Sequence, residues 1–293
     1  MYFESGPYGV RPPATEQMIK RMTDLPSLPA VIAQVLEIVE GGEPSADELA
    51  AAIEADRAFT AKVLRIANSA FYGLSHEIST VREAIIIIGF GAVRSIAIAA
   101  AVVSGVWVED DLFDARKFWT HGLRCGLFAD ALASMLPTVK PEIAFTLGVL
   151  HDIGQVIILQ TIPDNYHDVM TTLQQHRKYL WQVERDVLGF DHGEIGGRAS
   201  RKWRLPPVYC EAIEYHHEPA AAPAESRLAQ MLALADSLSH HAGISGPPER
   251  TVQPVYRGLW EPLGLSEAAV RQVLERAAAI DVRTRSFYEQ AVN

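Results

Sequence analysis

The stretch "LGVLHDIGQVIILQ", Leu147 to Gln160, places a carboxylate inside an apolar and helix-like part of the chain. From Ile143 to Leu159, Asp152 is the one formally charged residue, and His151 directly precedes it. Burying an unpaired carboxylate is very costly, so Asp152 needs a cation, a dense set of hydrogen bonds or a raised pKa. The rest of the sequence must therefore supply a partner for this charge.

The composition is that of a folded globular protein. The 293 residues are 48% hydrophobic and 21% charged, which allows a substantial core. The net charge of −10 argues against a general nucleic-acid-binding protein, which usually carries a basic surface, so we expect no nucleic-acid partner. Cys125 and Cys210 have no CxxC spacing, which disfavours both a disulfide framework and a thiolate zinc site.

The segment that most resembles a membrane span runs from Ile85 to Val108 and is interrupted by Arg94. A charge near the centre of a membrane span costs about 2.5–3.5 kcal/mol on insertion scales, so two packed core helices explain the segment better than a span. Residues 1–20 lack the apolar core of a secretory signal. We therefore expect a cytoplasmic protein with no membrane span.

Apolar residues recur at three- and four-residue steps along most of the chain, which predicts an all-α fold. Ser45 and Glu48 form a capping-box pattern at the start of one predicted helix. The motif "IANSAFYG" is predicted to end a helix near Phe71, with Asn68 bonded to local backbone. The core residues predicted on the flanking helical faces are Leu64, Ile66 or Ala67, Ile85 and Ile88.

Two linkers divide the predicted helices. The acidic stretch "WVEDDLFDAR", Trp107 to Arg116, is the predicted boundary between two lobes of a helical bundle. The stretch "GISGPPERTVQP", Gly243 to Pro254, precedes a short helical tail. The predicted organisation is an N-terminal tail (1–20), an N-terminal helical lobe (21–110), a second helical lobe (111–245) and a C-terminal helical extension (246–293).

Histidines and carboxylates border apolar helix faces in the second lobe. Taken singly, His121, His192 and Asp236 favour a structural role. The helix dipole alone stabilises histidines at a helix C-terminus, such as His216 and His217, by up to about 1 kcal/mol. Taken together, they predict a metal site with the ligands His121, His151, Asp152, His192, His216, His217 and Asp236. Imidazole and carboxylate ligands suit one or two divalent ions of Fe, Mn, Ni, Co or Zn, and a carboxylate such as Asp152 can bridge two ions.

The remaining histidines lie on polar stretches and are predicted to be surface residues: His76, His167, His176, His240 and His241.

The order of the candidate ligands resembles the HD superfamily of metal-dependent phosphohydrolases. The wider match is to the HDOD family, the HD-related output domains of bacterial signalling proteins. The matching blocks are "LPSLPAVIAQVLEIV", "LRIANSAFYG", "EAIIIIGFGAVRSI", "GVLHDIGQVIIL", "LGFDHGEIGGRASRKWRLP" and "AIEYHHEP". The resemblance implies an HDOD domain over residues 21–245, with an N-terminal helical lobe packed on an HD-like lobe.

The chain departs from the catalytic relatives at several positions. Catalytic HD phosphodiesterases often read HDxGK, and Gln155 stands here at the lysine position. The relatives that hydrolyse cyclic di-GMP carry a GYP motif after the paired histidines, which "HHEPAAAPAESR" lacks, and Lys117 stands where some carry an acidic ligand. Arg198 is a candidate for steering a phosphate, although a solvated basic helix face explains it more simply.

Two functions of different classes remain open. The first is a signal-transduction output module that binds a signalling protein partner, with an HD-type site that holds metal but is not a competent cyclic di-GMP phosphodiesterase. The second is a metal-dependent phosphohydrolase acting on a nucleotide or signalling phosphoester. For the module, the predicted partner surface is the groove between the lobes, near Trp107 to Arg116.

Overall fold

A computed structural model describes six segments of the chain, residues 45–69, 71–105, 113–176, 178–223, 226–242 and 257–292, together with Thr15, Lys20 and Val35. These residues form α-helices and short 3₁₀ turns, and no β-strand occurs among them. The all-α prediction is therefore confirmed. The predicted lobe boundary at 110/111, the start of the extension at 245/246 and most of both linkers lie outside the described residues, so the two-lobe division stays a prediction.

The described part begins with four helices, and these are α1 (Ala46–Glu54), α2 (Arg57–Ala67), α3 (Val81–Ile88) and α4 (Phe90–Gly105). Each of the first three starts where the side chain of Ser45, Asp56 or Thr80 accepts a hydrogen bond from a backbone N–H of the first turn. Such caps satisfy N–H groups that have no partner inside the helix. Short polar residues therefore fix where these helices begin.

The turn after α2 is held by Asn68. The Asn68 side chain donates to the Ile78 carbonyl and accepts from the Ile78 N–H, both at 2.7 Å, as expected for backbone bonding. The helix ends at Ala67, earlier than the predicted end near Phe71. Of the predicted core residues, Ile66, Ala67 and Ile85 are buried, whereas Leu64 and Ile88 are half-buried against the core.

The next eight helices carry the candidate ligands. They are α5 (Ala115–Ala133), α6 (Pro141–Leu150), α7 (Ile153–Thr161), α8 (Pro163–Gln175), α9 (Leu180–Leu188), α10 (His192–Lys202), α11 (Pro207–Glu214) and α12 (Arg227–His241). Helices α5 and α6 cross in close contact at Gly126 and Gly148, where a side chain on Gly148 would collide with the Gly126 backbone. This glycine contact brings the helix of His121 against the turn that holds His151.

The apolar run that contains the His151–Asp152 pair is interrupted at that pair. Helix α6 ends at Leu150, the pair forms a turn, and α7 begins at Ile153. Asp152 therefore stands at the N-terminus of α7, where the helix dipole stabilises a negative charge. A side chain on Gly154 would collide with the His192 carbonyl, so this glycine lets α7 lie directly against the start of α10.

Residues 141–161 form one helical run, among those described, that is long and apolar enough to cross a membrane. In its most apolar window, 83% of the residues are buried inside the protein. The shorter apolar helix at Phe90–Val103, within the segment considered in the sequence, does not reach that length. Most residues of both runs are therefore buried in the core.

The C-terminal extension packs against the rest of the chain. Its helices are α13 (Arg257–Trp260), α14 (Glu267–Leu274) and α15 (Ala277–Val292), with a 3₁₀ turn at Glu261–Leu263. The buried ring of Phe287 on α15 lies 5.2 Å from the ring of Phe71 and 6.2 Å from that of Phe145. Arg283 donates from Nε to the Phe71 carbonyl at 2.9 Å. Helix α15 therefore ties the turn after α2 to α6.

Replacing Phe287 with Ala is expected to lower the free energy of unfolding by about 3–5 kcal/mol, because the change opens a cavity among buried aromatic rings. Val282→Ala is the matched control on the same helix, since Val282 is 59% exposed, and its effect should stay within about 0.5 kcal/mol. Denaturant unfolding measures both. Equal effects of the two substitutions would show that α15 does not pack as described.

Candidate metal centre

The seven predicted ligands meet in one cluster. His121 comes from the middle of α5, His151 and Asp152 from the turn between α6 and α7, His192 from the first turn of α10, His216 and His217 from the turn after α11, and Asp236 from α12. All except His217 are buried. Helices distant in sequence therefore direct imidazoles and carboxylates to the same point.

Asp152 lies between two groups of imidazoles. Its Oδ1 atom is 3.1 Å from Nε2 of His192, 3.3 Å from Nε2 of His151 and 3.6 Å from Nε2 of His216. Its Oδ2 atom is 3.6 Å from Nε2 of His121. Oδ1 thus faces one ligand group, the imidazoles of His151, His192 and His216, and Oδ2 faces His121 of the other. This is the arrangement of a bridging carboxylate.

Asp236 forms the second centre of negative charge. Its Oδ1 atom lies 3.0 Å from Nε2 of His121, 3.7 Å from Nε2 of His151 and 3.3 Å from Nε2 of His240. The first two contacts join residues predicted as ligands. The third involves a residue that the sequence analysis placed at the surface.

Three of the imidazoles are held in one tautomer by their Nδ1 atoms. Nδ1 of His151 donates to the Gly148 carbonyl and Nδ1 of His216 to the Ile213 carbonyl, both at 2.7 Å. Because a carbonyl oxygen can only accept, these Nδ1 atoms carry hydrogen. His192 is held by Glu184, whose Oε2 is 2.6 Å from Nδ1. Each Nε2 atom then faces the cluster, as in metal sites whose histidines are oriented by an outer partner.

Several buried atoms at the centre of the cluster have no partner at hydrogen-bonding geometry. They are Nε2 of His121, His151 and His216, and Oδ1 of Asp236. Buried polar atoms are normally satisfied, and one or two cations bound within the cluster would satisfy these atoms. Adjacent ligands of an ion bound at about 2.1 Å lie about 3.0–3.4 Å apart, and the shorter separations above match that spacing. The residues present therefore fit a divalent metal ion.

Neighbouring imidazoles offset the negative charge of the two carboxylates, Asp152 and Asp236. Burial alone would raise the pKa of Asp152, but His151 and His192 hold it well below its ordinary value. Burial would likewise raise the pKa of Asp236, but His240 and His121 hold it well below its ordinary value. Against the effect of burial, Asp152 raises the pKa of His151. Without metal, protonated imidazoles offset the carboxylates, and a bound ion would displace those protons.

Two other histidines of the cluster, His121 and His217, have lowered pKa values. Burial, together with His240, lowers the pKa of His121 to about 4. Burial, together with His216 and His192, lowers the pKa of His217 well below its ordinary value. Nε2 of His217 lies 2.7 Å from Nε2 of His192. These imidazoles are therefore neutral at pH 7 and available as ligands.

A cleft connects the cluster with solvent. It is lined by Asp152, Gln155, Tyr179, Leu180, Trp181, His192, His217, Asp236 and His240, and neither Lys nor Arg occurs among these described lining residues. The Trp181 ring lies nearly parallel to the His217 ring at 5.7 Å, with the Arg185 guanidinium over it at 4.5 Å. Gln155 faces the site as one of these lining residues. Arg198 instead pairs with Glu194 on its own helix, and its role in steering a phosphate stays a prediction.

Two residues of the site were not found from the sequence. Glu184, fully buried, accepts from both the backbone N–H and the ring of His192. It occupies the buried face of α9 with Leu180, Val183 and Leu188, so a carboxylate on an apolar face was the available signal.

His240 is the second. The prediction that it is a surface residue is wrong, because its side chain is only 11% exposed and faces Asp236, one turn earlier on α12. The spacing of Asp236 and His240 was the available signal. Of the other histidines predicted at the surface, His76, His176 and His241 are exposed and His167 is half-buried.

Asp152→Ala is expected to abolish metal binding, because the change removes the carboxylate shared by both ligand groups. It should also lower the free energy of unfolding by about 3–5 kcal/mol, since imidazoles remain buried without their anion. Elemental analysis and denaturant unfolding measure the two effects. Asp168→Ala, at an exposed position on α8, is the control and should change neither. Full metal content in Asp152→Ala would contradict the proposed ligand set.

Glu184→Gln is expected to weaken metal binding about 10- to 100-fold, because the change removes the negative charge that orients His192. Asp186→Asn, an exposed change on the same helix, should leave affinity unchanged. Competition with a chelator measures both affinities. Equal affinities in the two variants would show that Glu184 does not support a ligand.

The chain is similar to several known proteins. The family model of the HDOD domain matches residues 25–219, about two thirds of the chain. An uncharacterized protein of Treponema pallidum (strain Nichols) is 24% identical over 207 residues, which are 70% of this chain and 40% of that protein. The match therefore spans less than half of the length of that relative.

Solved structures share the fold. A protein named as a phosphohydrolase from Shewanella amazonensis SB2B has a TM-score of 0.76 and 24% identity, covering 94% of this chain and 97% of its own. An HDOD domain protein of unknown function from Geobacter sulfurreducens has a TM-score of 0.76 and 23% identity, covering 93% and 98%. A protein named as a signal-transduction protein from Marinobacter aquaeolei VT8 has a TM-score of 0.80 and 20% identity, covering 95% and 65%. These identities show the fold alone, whereas the family match shows that the chain belongs to the HDOD family.

Proposed function

We propose that this chain is a cytoplasmic signal-transduction module that binds a protein partner and holds a resident divalent metal centre. The ligands of that centre are the seven predicted residues, with Asp152 between the two groups. The observation that carries the proposal is a contrast within one cleft. The ligand atoms are oriented and unsatisfied, as a metal site requires, yet the described lining residues include no Lys or Arg to bind a phosphoester.

The charge of the cleft supports a non-catalytic role. Phosphoryl-transfer sites stabilise the phosphate oxygens with metal ions together with Lys or Arg. Here the lining side chains contribute two carboxylates and the neutral amide of Gln155 at the position where catalytic HD enzymes often have lysine. The metal that these carboxylates hold would offset their charge, and the described lining residues offer no Lys or Arg to bind an anionic substrate. In such a module the metal organises the helices that meet at Asp152, and the outer surface carries the signal.

A metal-dependent phosphohydrolase is the second candidate. The observation that favours it is the position of Asp152, whose two oxygens face separate ligand groups at the base of an open cleft. Bound metal ions would supply Lewis acidity and an activated water there. Some structures with this fold carry phosphohydrolase names, including a protein named as a metal-dependent phosphohydrolase from Shewanella amazonensis SB2B.

The partner surface stays a separate prediction. The segment proposed for it, Trp107 to Arg116, lies mostly outside the described residues. Reversing the charge of its acidic residues is expected to disturb signalling without unfolding the protein, and normal partner binding after their neutralisation would count against this surface.

The decisive experiment measures metal content and hydrolysis on the same preparation. Protein purified without chelator or histidine tag is expected to contain metal, and to hydrolyse neither cyclic di-GMP nor bis(p-nitrophenyl) phosphate above the rate of Asp152→Asn. Gln155→Lys tests the missing cation separately, since it adds charge at the cleft without altering a ligand. Turnover by the unmodified chain that is lost in Asp152→Asn would replace the module with the phosphohydrolase, and absence of metal would overturn the metal centre.

A further inference from the structure

We infer that His240 is an eighth protein ligand of the metal centre, binding through Nε2 beside His121 and Asp236. The inference rests on the metal-binding part of the proposed function. His240 would add one ligand to the set predicted from the sequence, and it would reduce the part of the metal that remains open to solvent.

The position of His240 follows from helix geometry. His240 stands four residues after Asp236 on α12, so both side chains lie on the same face of the helix. That face is turned toward the cluster, because Asp236 is buried there. The next residue, His241, is exposed on a different face, although it has the same chemistry. Orientation therefore separates the two neighbouring histidines.

The distances suit a shared ion. Nε2 of His240 is 3.3 Å from Oδ1 of Asp236, and Nε2 of His121 is 3.0 Å from the same atom. One ligand atom from each of the three residues lies within 4.8 Å of the other two. Ligands of one ion at bond lengths of about 2.1 Å cannot lie more than about 4.2 Å apart, and the distances of 3.0 and 3.3 Å satisfy that limit.

The surroundings of Asp236 favour a ligand role over a simple ion pair. Its Oδ1 atom has three imidazole Nε2 atoms around it within 3.7 Å, yet no partner at hydrogen-bonding geometry. The rings of His121 and His240 lie 4.5 Å apart between centroids, inclined by 31°. An ion approached by Asp236, His121 and His240 would satisfy this oxygen, and these three residues offer ligand atoms close enough to share one ion.

A ligand at His240 would reduce the number of coordination positions of the metal that are left for water or substrate. Catalytic metal sites keep a coordination position for water or substrate, whereas structural sites fill their positions with protein ligands. His240 also lines the cleft through which solvent reaches the cluster. If His240 holds the ion, a side chain of the cleft lining would become a ligand, and access of water or a phosphoester to the ion would be reduced.

The test compares His240→Ala with His241→Ala, a matched change of the adjacent residue. Chelator competition with Mn²⁺ measures affinity, and the water-proton relaxivity of the Mn²⁺-loaded protein measures exchangeable water on the metal. Loss of an outer-shell partner alone weakens metal binding about 10- to 100-fold, so losing His240 should cost at least about tenfold. Relaxivity should rise in His240→Ala, because water takes the vacated position, and His241→Ala should match the unmodified chain in both measurements.

A second variant separates a ligand role from a role in folding. His240→Gln keeps a polar side chain of similar size, and its thermal midpoint in chelator should match that of the unmodified chain while its affinity still falls. If the unmodified chain binds Mn²⁺ and both His240 variants keep its affinity and relaxivity, the inference fails and the metal centre stands. If the unmodified chain binds no metal ion, the metal centre fails and the inference with it.

Discussion

The negative charge of Asp152 inside the protein has to be offset by its surroundings, and the arrangement of the surrounding helices follows from that requirement. Helix α7 begins at this residue, so its dipole stabilises the carboxylate from one side. Imidazoles from α5, α10 and the turn after α11 face its oxygens from the others. A divalent ion and protonated imidazoles are two ways of supplying the same positive charge, and both use the same geometry.

Close backbone contacts make that geometry possible. Gly126 and Gly148 let α5 and α6 cross without side chains between them, and Gly154 lets α7 lie against the start of α10. A larger residue at any of these positions would move a histidine away from Asp152. Outside the cluster, α15 fixes the turn after α2 through Arg283 and Phe287, although the sequence suggested only a short helical tail there. The packing of distant segments thus supports the site indirectly.

The sequence predicted the helical class and the ligand set, for different reasons. The helix start at Ser45 is a local signal, because the capping side chain bonds to the backbone within the same turn. The seven ligands were recognised as a set through their order along the chain and the family resemblance, not through any single residue.

What the sequence did not reveal depends on tertiary contacts. The break at His151–Asp152 carries no proline to announce it, and Glu184 is tied to His192 by a contact between different helices. His240 was misassigned because its neighbours on α12 are polar, and only the fold shows which face of that helix is buried.

The module and the phosphohydrolase differ in what surrounds the metal rather than in the metal ligands themselves. Both need the cluster at Asp152, and the balance between them depends on the uncharged Gln155 and on the absence of Lys and Arg among the described residues that line the cleft. The most direct test of the shared claim is an anomalous difference map from crystals of the chain purified without chelator or histidine tag. The account predicts a peak within about 2.2 Å of an oxygen of Asp152 and of at least one imidazole Nε2. A well-ordered cluster with no anomalous peak, its carboxylates bonded only to imidazoles and water, would contradict it.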